Sequence, residues 1–131
     1  MSRKAYTREE RESIRDSMIR RSVRVFAEKG LRNASLEDVY VPEGISKTFF
    51  YTFFSSKTTL IAEVFSSQSS DMLDVLRKNV WDYGAVNGMR ETLSDVLDGR
   101  WFIASFDDQT YLRDIMSEEE FNCLLYTSPS P

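Results

Sequence analysis

Residues 35–57 read SLEDVYVPEGISKTFFYTFFSSK, and Gly44 within that stretch limits what the chain can become. It stands between the apolar pair Val39/Val41 and a run beginning at Ile45. A glycine there supplies the positive φ that a sharp turn between two helices requires. Ser46 follows, and its hydroxyl can cap a new helix by accepting from a backbone N–H two or three residues on. The spacing predicts that helix over residues 47–53. Upstream, Ser35-Leu36-Glu37-Asp38 has the form of a capping box and starts a helix at Leu36. Pro42 disfavours helix at Val41 and removes a donor, so this first helix ends near Tyr40 or Val41. Two short helices joined by a glycine turn make a helix-turn-helix, whose second helix enters the major groove of DNA.

On the second helix, Ile45, Phe49, Phe50 and Phe53 repeat at the spacing of one apolar face. Ser46, Lys47, Thr48, Tyr51 and Thr52 remain on the other side. They are hydroxyl donors and one cation, the types that reach phosphates and base edges. Any short amphipathic helix also has a polar face, so the surrounding pattern has to decide.

That pattern is Phe26-Ala27-Glu28-Lys29-Gly30-Leu31, then Ala34-Ser35-Leu36, then Gly44-Ile45-Ser46-Lys47, then Phe50-Tyr51-Thr52-Phe53-Phe54-Ser55-Ser56-Lys57-Thr58-Thr59-Leu60. It resembles the N-terminal domain of the tetracycline-repressor-like (TetR) family of transcription regulators, over residues 10–65. The resemblance implies an all-α protein. A three-helix DNA-binding domain (residues 1–56) would precede a helical domain (residues 57–131) that binds a small ligand and dimerises. It implies phosphate contacts by Tyr51 and Lys57, and a phosphate at the helix start capped by Ser35. Lys47, Thr48 and Thr52, with Phe49, are the candidate base-reading residues, and Ser46 joins them on the polar face. Three positions depart from the family. Tyr40 stands where a close helix crossing usually has alanine, and Pro42 stands where a helical residue is usual. Phe49 replaces a small or polar residue; it either meets a thymine methyl or packs inward.

The formal net charge is −4, which by itself suits no nucleic-acid binder, but the charge is unevenly placed. Residues 1–60 hold 12 Lys/Arg against 8 Asp/Glu, a net of +4, and residues 61–131 hold 5 against 13, a net of −8. Only the first half is suited to meet DNA. With no histidine, His-based triads and His metal clusters are excluded, and a single cysteine, Cys123, forms no internal disulfide. No Gly-rich phosphate loop occurs, and no cofactor is expected. No apolar run approaches a membrane span, so a cytoplasmic protein is the expectation. Asp107, Asp108 and Asp114 read as surface carboxylates, and no enzyme is expected.

In chain order, Ser2 to Tyr6 form a short basic arm, with Arg3 and Lys4, that either reaches a groove or a phosphate or is a solvated terminus. Thr7-Arg8-Glu9-Glu10 is a capping box, opening a helix over residues 8–29 that Lys29 and Gly30 end. Ser56 and Lys57 open a long helix expected over residues 57–79, with its seam on Leu60, Ile61, Val64 and Phe65. Two glycines make residues 81–88 read as a loop, followed by a helix over 89–97 that Gly99 ends. Trp101, Phe102, Ile103 and Phe106 either line an apolar pocket or belong to the core. Tyr111, Leu112, Ile115 and Met116 indicate a further helix, and Ser117-Glu118-Glu119-Glu120 is a capping box opening another.

Residues 123–131 resemble the translated read-through of a sequencing adapter. A truncated or chimeric frame is therefore expected, with an incomplete second domain and apolar faces after residue 85 that lack partners. The functional expectation is a transcriptional repressor on a double-stranded DNA operator. It would be a homodimer where the second domain is complete, and a small-molecule effector would release it. The alternative is a helical protein-interaction module that has lost sequence-specific DNA binding.

Overall fold

The computed structural model describes residues 5–125. The basic arm at Arg3 and Lys4, and residues 126–131 of the expected artefactual tail, lie outside the described residues. Those described form seven helices and no strand, so the chain is all-α.

Helix α1 spans Arg8–Asn33. Its capping box forms as the sequence predicts: Thr7 Oγ1 accepts from Glu10 N–H at 3.0 Å, and Glu10 Oε1 accepts from Thr7 N–H at 3.2 Å. Gly30, at φ 77°, breaks the helical path, and Leu31 to Asn33 form one further turn. Only that conformation lets the chain swing Leu31 into the core, where it is fully buried.

The two short helices follow as α2, Glu37–Tyr40, and α3, Lys47–Phe50. The capping box at Ser35 and Asp38 is made in both directions, at 2.9 and 3.2 Å. Gly44 takes φ 73° at the turn. The regular part of α3 is shorter than the expected 47–53. After one turn its bonding tightens, with Thr52 N–H donating to Phe49 O and Phe53 N–H to Phe50 O. The Thr52 hydroxyl also donates to the Phe49 carbonyl at 2.6 Å.

The long helix α4 runs Lys57–Tyr83, and α5 runs Ala85–Leu97. This corrects the loop expected over residues 81–88. A single residue, Gly84 at φ 84°, joins the two helices, and its N–H caps Val80 O at 2.9 Å. Gly88 lies inside α5, where a Cβ would fall 2.6 Å from the Val80 backbone, so its function is close helix approach. Beside it the Thr92 hydroxyl donates to Gly88 O at 2.9 Å and accepts from Asn79 Nδ2 at 3.1 Å. Val86, Met89, Leu93 and Leu97 leave an apolar stripe of α5 exposed.

Helix α6 spans Phe106–Ile115 and α7 spans Glu118–Leu125, the latter opened by the Ser117/Glu120 capping box. Helix α6 returns to α1, and α7 packs against α4 and α6. Phe102 packs edge-on against Phe26 with centroids 5.8 Å apart and also meets Phe65. Its backbone N–H and C=O are both bonded by the buried Gln68 side chain, at 2.6 and 3.1 Å. Trp101 and Phe102 are therefore core, whereas Ile103 and Phe106 are exposed. One hydrophobic core joins Phe26, Leu31, Phe50, Phe54, Leu60 and Ile61 to Leu112, Met116 and Phe121.

Asp108 corrects a second expectation. It is buried, at 4% exposure, rather than a surface carboxylate. Its Oδ2 accepts from Ser105 N–H at 2.8 Å, capping α6, and its Oδ1 accepts from Leu31 N–H at 2.9 Å. Asp107 is exposed and pairs with Arg32 at 3.4 Å, while Asp114 is exposed as expected.

Candidate nucleic-acid interface

The outward face of α3 is set by what its inward face buries. Phe50 and Phe54 are fully buried, and Tyr40 packs against Phe50 with centroids 5.5 Å apart. The bulky Tyr40 thus becomes part of the helix-turn-helix core, at 8% exposure, rather than splaying the two helices. The turn is tied to α1 by Glu43, whose Oε1 accepts from Ser17 Oγ at 2.5 Å and from Arg21 Nη2 at 3.4 Å. Pro42 sits exposed in that turn and breaks no buried bond.

With that side fixed, Ser46, Lys47, Thr48, Tyr51 and Thr52 are all exposed. Ser46 Oγ accepts from Phe49 N–H at 3.1 Å, so the first of these residues also starts the helix. Phe49 is half-buried, stacked on Tyr6 with centroids 4.9 Å apart and set edge-on to Phe53 at 5.1 Å.

Ser35 and Lys57 lie off that helix. Ser35 is engaged in its capping box with Asp38, which also pairs with Lys29 at 2.9 Å. The backbone bond from Ser35, and then the Lys29 ammonium, hold the Asp38 carboxyl below the usual carboxylate range. Lys57 is half-buried. Its Nζ donates to Leu31 O at 2.7 Å and lies 4.8 Å from the centre of the Tyr111 ring. The structure therefore gathers Ser46, Lys47, Thr48, Tyr51 and Thr52 on one exposed surface and gives Ser35 and Lys57 structural bonds at the starts of α2 and α4.

Two residues at this surface escaped the sequence. Arg11 donates to Thr52 Oγ1 at 3.3 Å, with its guanidinium 4.3 Å from the Phe53 ring centre. Tyr6 covers Phe49. Neither is near α3 in sequence, and no spacing rule links them to it. The sequence signals are weak ones: Arg11 belongs to a run of arginines along α1, and Tyr6 ends the basic arm.

Residues 19–64 match the family model described as bacterial regulatory proteins, tetR family. The N-terminal domain of this chain belongs to the tetR family. The match spans the second half of α1, both short helices and the start of α4, the segment that carries the exposed face described above. No curated protein and no solved structure gives a match to the chain. The tetR-family domain makes this a DNA-binding transcriptional regulator, whose partner is double-stranded DNA. Among the described residues, no helix is long and apolar enough to cross a membrane.

Proposed function

We propose that this tetR-family regulator is a repressor that occupies an operator as a homodimer and is released by a small-molecule effector. Residues 1–56 would form the DNA-binding domain and residues 57–131 the regulatory part, in the cytoplasm. The observation that carries this is the exposure of Lys47, Thr48, Tyr51 and Thr52 on the side of α3 opposite the buried Phe50. In the major groove, Lys47, Thr48 and Thr52 read base edges, with Phe49 supplying an apolar contact, while Ser46 and Tyr51 meet phosphates. Ser35 and Lys57 contribute further phosphate contacts at the flanks. A second copy brings a second reading head to an inverted repeat. The exposed apolar stripe of α5 is the kind of surface that pairs subunits.

Release requires that the regulatory helices move the reading head. The Asp108–Leu31 bond and the Phe102–Phe26 contact support this, because they join α6 and the segment before it to α1. A displacement of α6 is then felt at the end of α1.

Binding of a selected operator by single variants tests the assignment. Thr48→Ala and Thr52→Ala should change which bases are preferred, whereas Tyr51→Phe should weaken all sequences alike. Unchanged preference in both threonine variants overturns the assigned face.

A further inference from the structure

The recognition helix shares its surface with the segment that precedes α1. Tyr6 lays its ring on Phe49 at 4.9 Å, with only 20° between the planes. Phe49 is held from a second side by Phe53 and by the Arg11 guanidinium, 5.3 Å from its centre. The space left beside this stack is a cleft of about 410 Å³, lined by Tyr6, Ile45, Ser46, Thr48, Phe49 and Thr52 along with the turn glycine. Its walls are two aromatic rings and a branched aliphatic chain. Its rim carries the hydroxyls of Ser46, Thr48 and Thr52. No charged side chain is among its lining residues.

That composition discriminates among the groups a duplex presents. A phosphate calls for a cation, and guanine is matched by a two-pronged Arg or Lys. Adenine is matched by an Asn or Gln amide, and cytosine by a carboxylate. None of these lines the cleft. Thymine alone shows an apolar group in the major groove, its C5 methyl, next to the O4 acceptor. An aromatic cleft with hydroxyl donors on its rim is complementary to that pair.

We propose that Tyr6 and Phe49 form the walls of a thymine-reading cleft, which makes Tyr6 a specificity-determining residue supplied from outside the helix-turn-helix. The inference rests on the reading of α3 as the DNA-reading helix. Phe49 contacts the methyl, the Ser46 or Thr48 hydroxyl donates to O4 (that of Thr52 already donates to the Phe49 carbonyl), and Tyr6 fixes the Phe49 ring and closes the apolar side. The Tyr6 hydroxyl has no part in this, so Tyr6→Phe keeps the preference.

The test uses the full chain and the duplexes it enriches from a random pool. Each enriched thymine is replaced in turn by deoxyuridine, which lacks only the C5 methyl. One position per half-site should lose about fourfold in affinity, the worth of one buried methyl-sized group. The same replacement should be silent for Tyr6→Ala and for Tyr6→Leu, the second variant keeping apolar volume without the stack. Tyr6 precedes α1, so both variants are expected to fold, which circular dichroism checks. If no thymine is sensitive, or if the sensitivity is unchanged in both variants, the cleft does not read thymine. If no duplex is enriched at all, the DNA-reading assignment of α3 itself fails, and this proposal with it.

Discussion

Asp108 Oδ1 accepts a hydrogen bond from the Leu31 backbone N–H at 2.9 Å, across 77 positions of sequence. The donor follows the Gly30 break in α1, and the acceptor is the third residue of α6, which completes the capping box with Ser105. One carboxylate therefore satisfies an orphaned donor on each of two helices. Around it Arg32 lies 5.2 Å from the Tyr111 ring, and Lys57 covers the same ring while bonding the Leu31 carbonyl. Both backbone polar groups of Leu31 are thus held by side chains, one from α6 and one from the start of α4.

Asp108→Ala removes that acceptor and leaves the buried Leu31 N–H without a partner. It should lower stability by about 2–3 kcal/mol, whereas Asp108→Asn, which retains an acceptor oxygen, should lose only about 1 kcal/mol. Urea unfolding of the two variants checks the order. Equal loss from both, or none from alanine, contradicts the role given to Asp108.

Gly88 makes a separate prediction about the α4–α5 hairpin. Added at this position, a Cβ meets the backbone of Val80 at 2.6 Å and of Asn79 at 2.7 Å, and backbone cannot rotate aside. Gly88→Ala should cost about 1–3 kcal/mol despite alanine's better helix propensity. Hydrogen exchange should show the loss in α5 and the end of α4, with α1 to α3 unchanged. A stabilised variant would contradict the close approach of α5 to the Val80 backbone.

The glycines show where sequence was legible and where it was not. Gly30 and Gly44 are legible because each belongs to a local pattern, a last-turn cation in one case and a following serine cap in the other. Gly84 and Gly88 together have the sequence signature of a loop. Only Gly84 turns the chain; Gly88 is helical and is required by a neighbour on α4, a fact that no local window contains. The capping boxes at Thr7, Ser35 and Ser117 were legible for the same local reason, as were the polar face of α3 and the family resemblance, which the tetR-family match shows. Ser105 and Asp108 have the capping-box spacing too, yet the second bond of Asp108, to Leu31, depends on the packing of α6 against α1. Tyr6 and Arg11 reach the recognition helix in the same long-range way.

Asp38 predicts a pH dependence. Its carboxyl titrates below the ordinary value because of its bonds to Ser35 and Lys29. Its contribution to stability is therefore complete above the unfolded value of about 3.9 and is lost as pH falls through the lower, folded value. Asp38→Asn should flatten that acid limb and leave the slope near neutrality unchanged. Acid unfolding followed at 222 nm by circular dichroism is the check, and an acid limb identical to the parent's would remove Asp38 from the explanation.

Lys57 carries two expectations that a single variant separates. Lys57→Met keeps the stem over Tyr111 but removes the donor to Leu31 O, so stability should fall by about 1 kcal/mol. If Lys57 also meets a phosphate, the dependence of log affinity on log salt should become shallower by about 1. A stability loss with an unchanged salt slope would make Lys57 structural alone.

The most direct measurement is a selection of random duplex DNA by the purified chain at low salt, followed by affinity for the retained sequence as salt is raised. An enriched motif, with affinity falling steeply as salt increases, is the predicted result, because a reading face and phosphate contacts act together. An unenriched pool, from a chain that circular dichroism shows to be folded, would contradict the assignment of Lys47, Thr48 and Thr52 as DNA-reading residues.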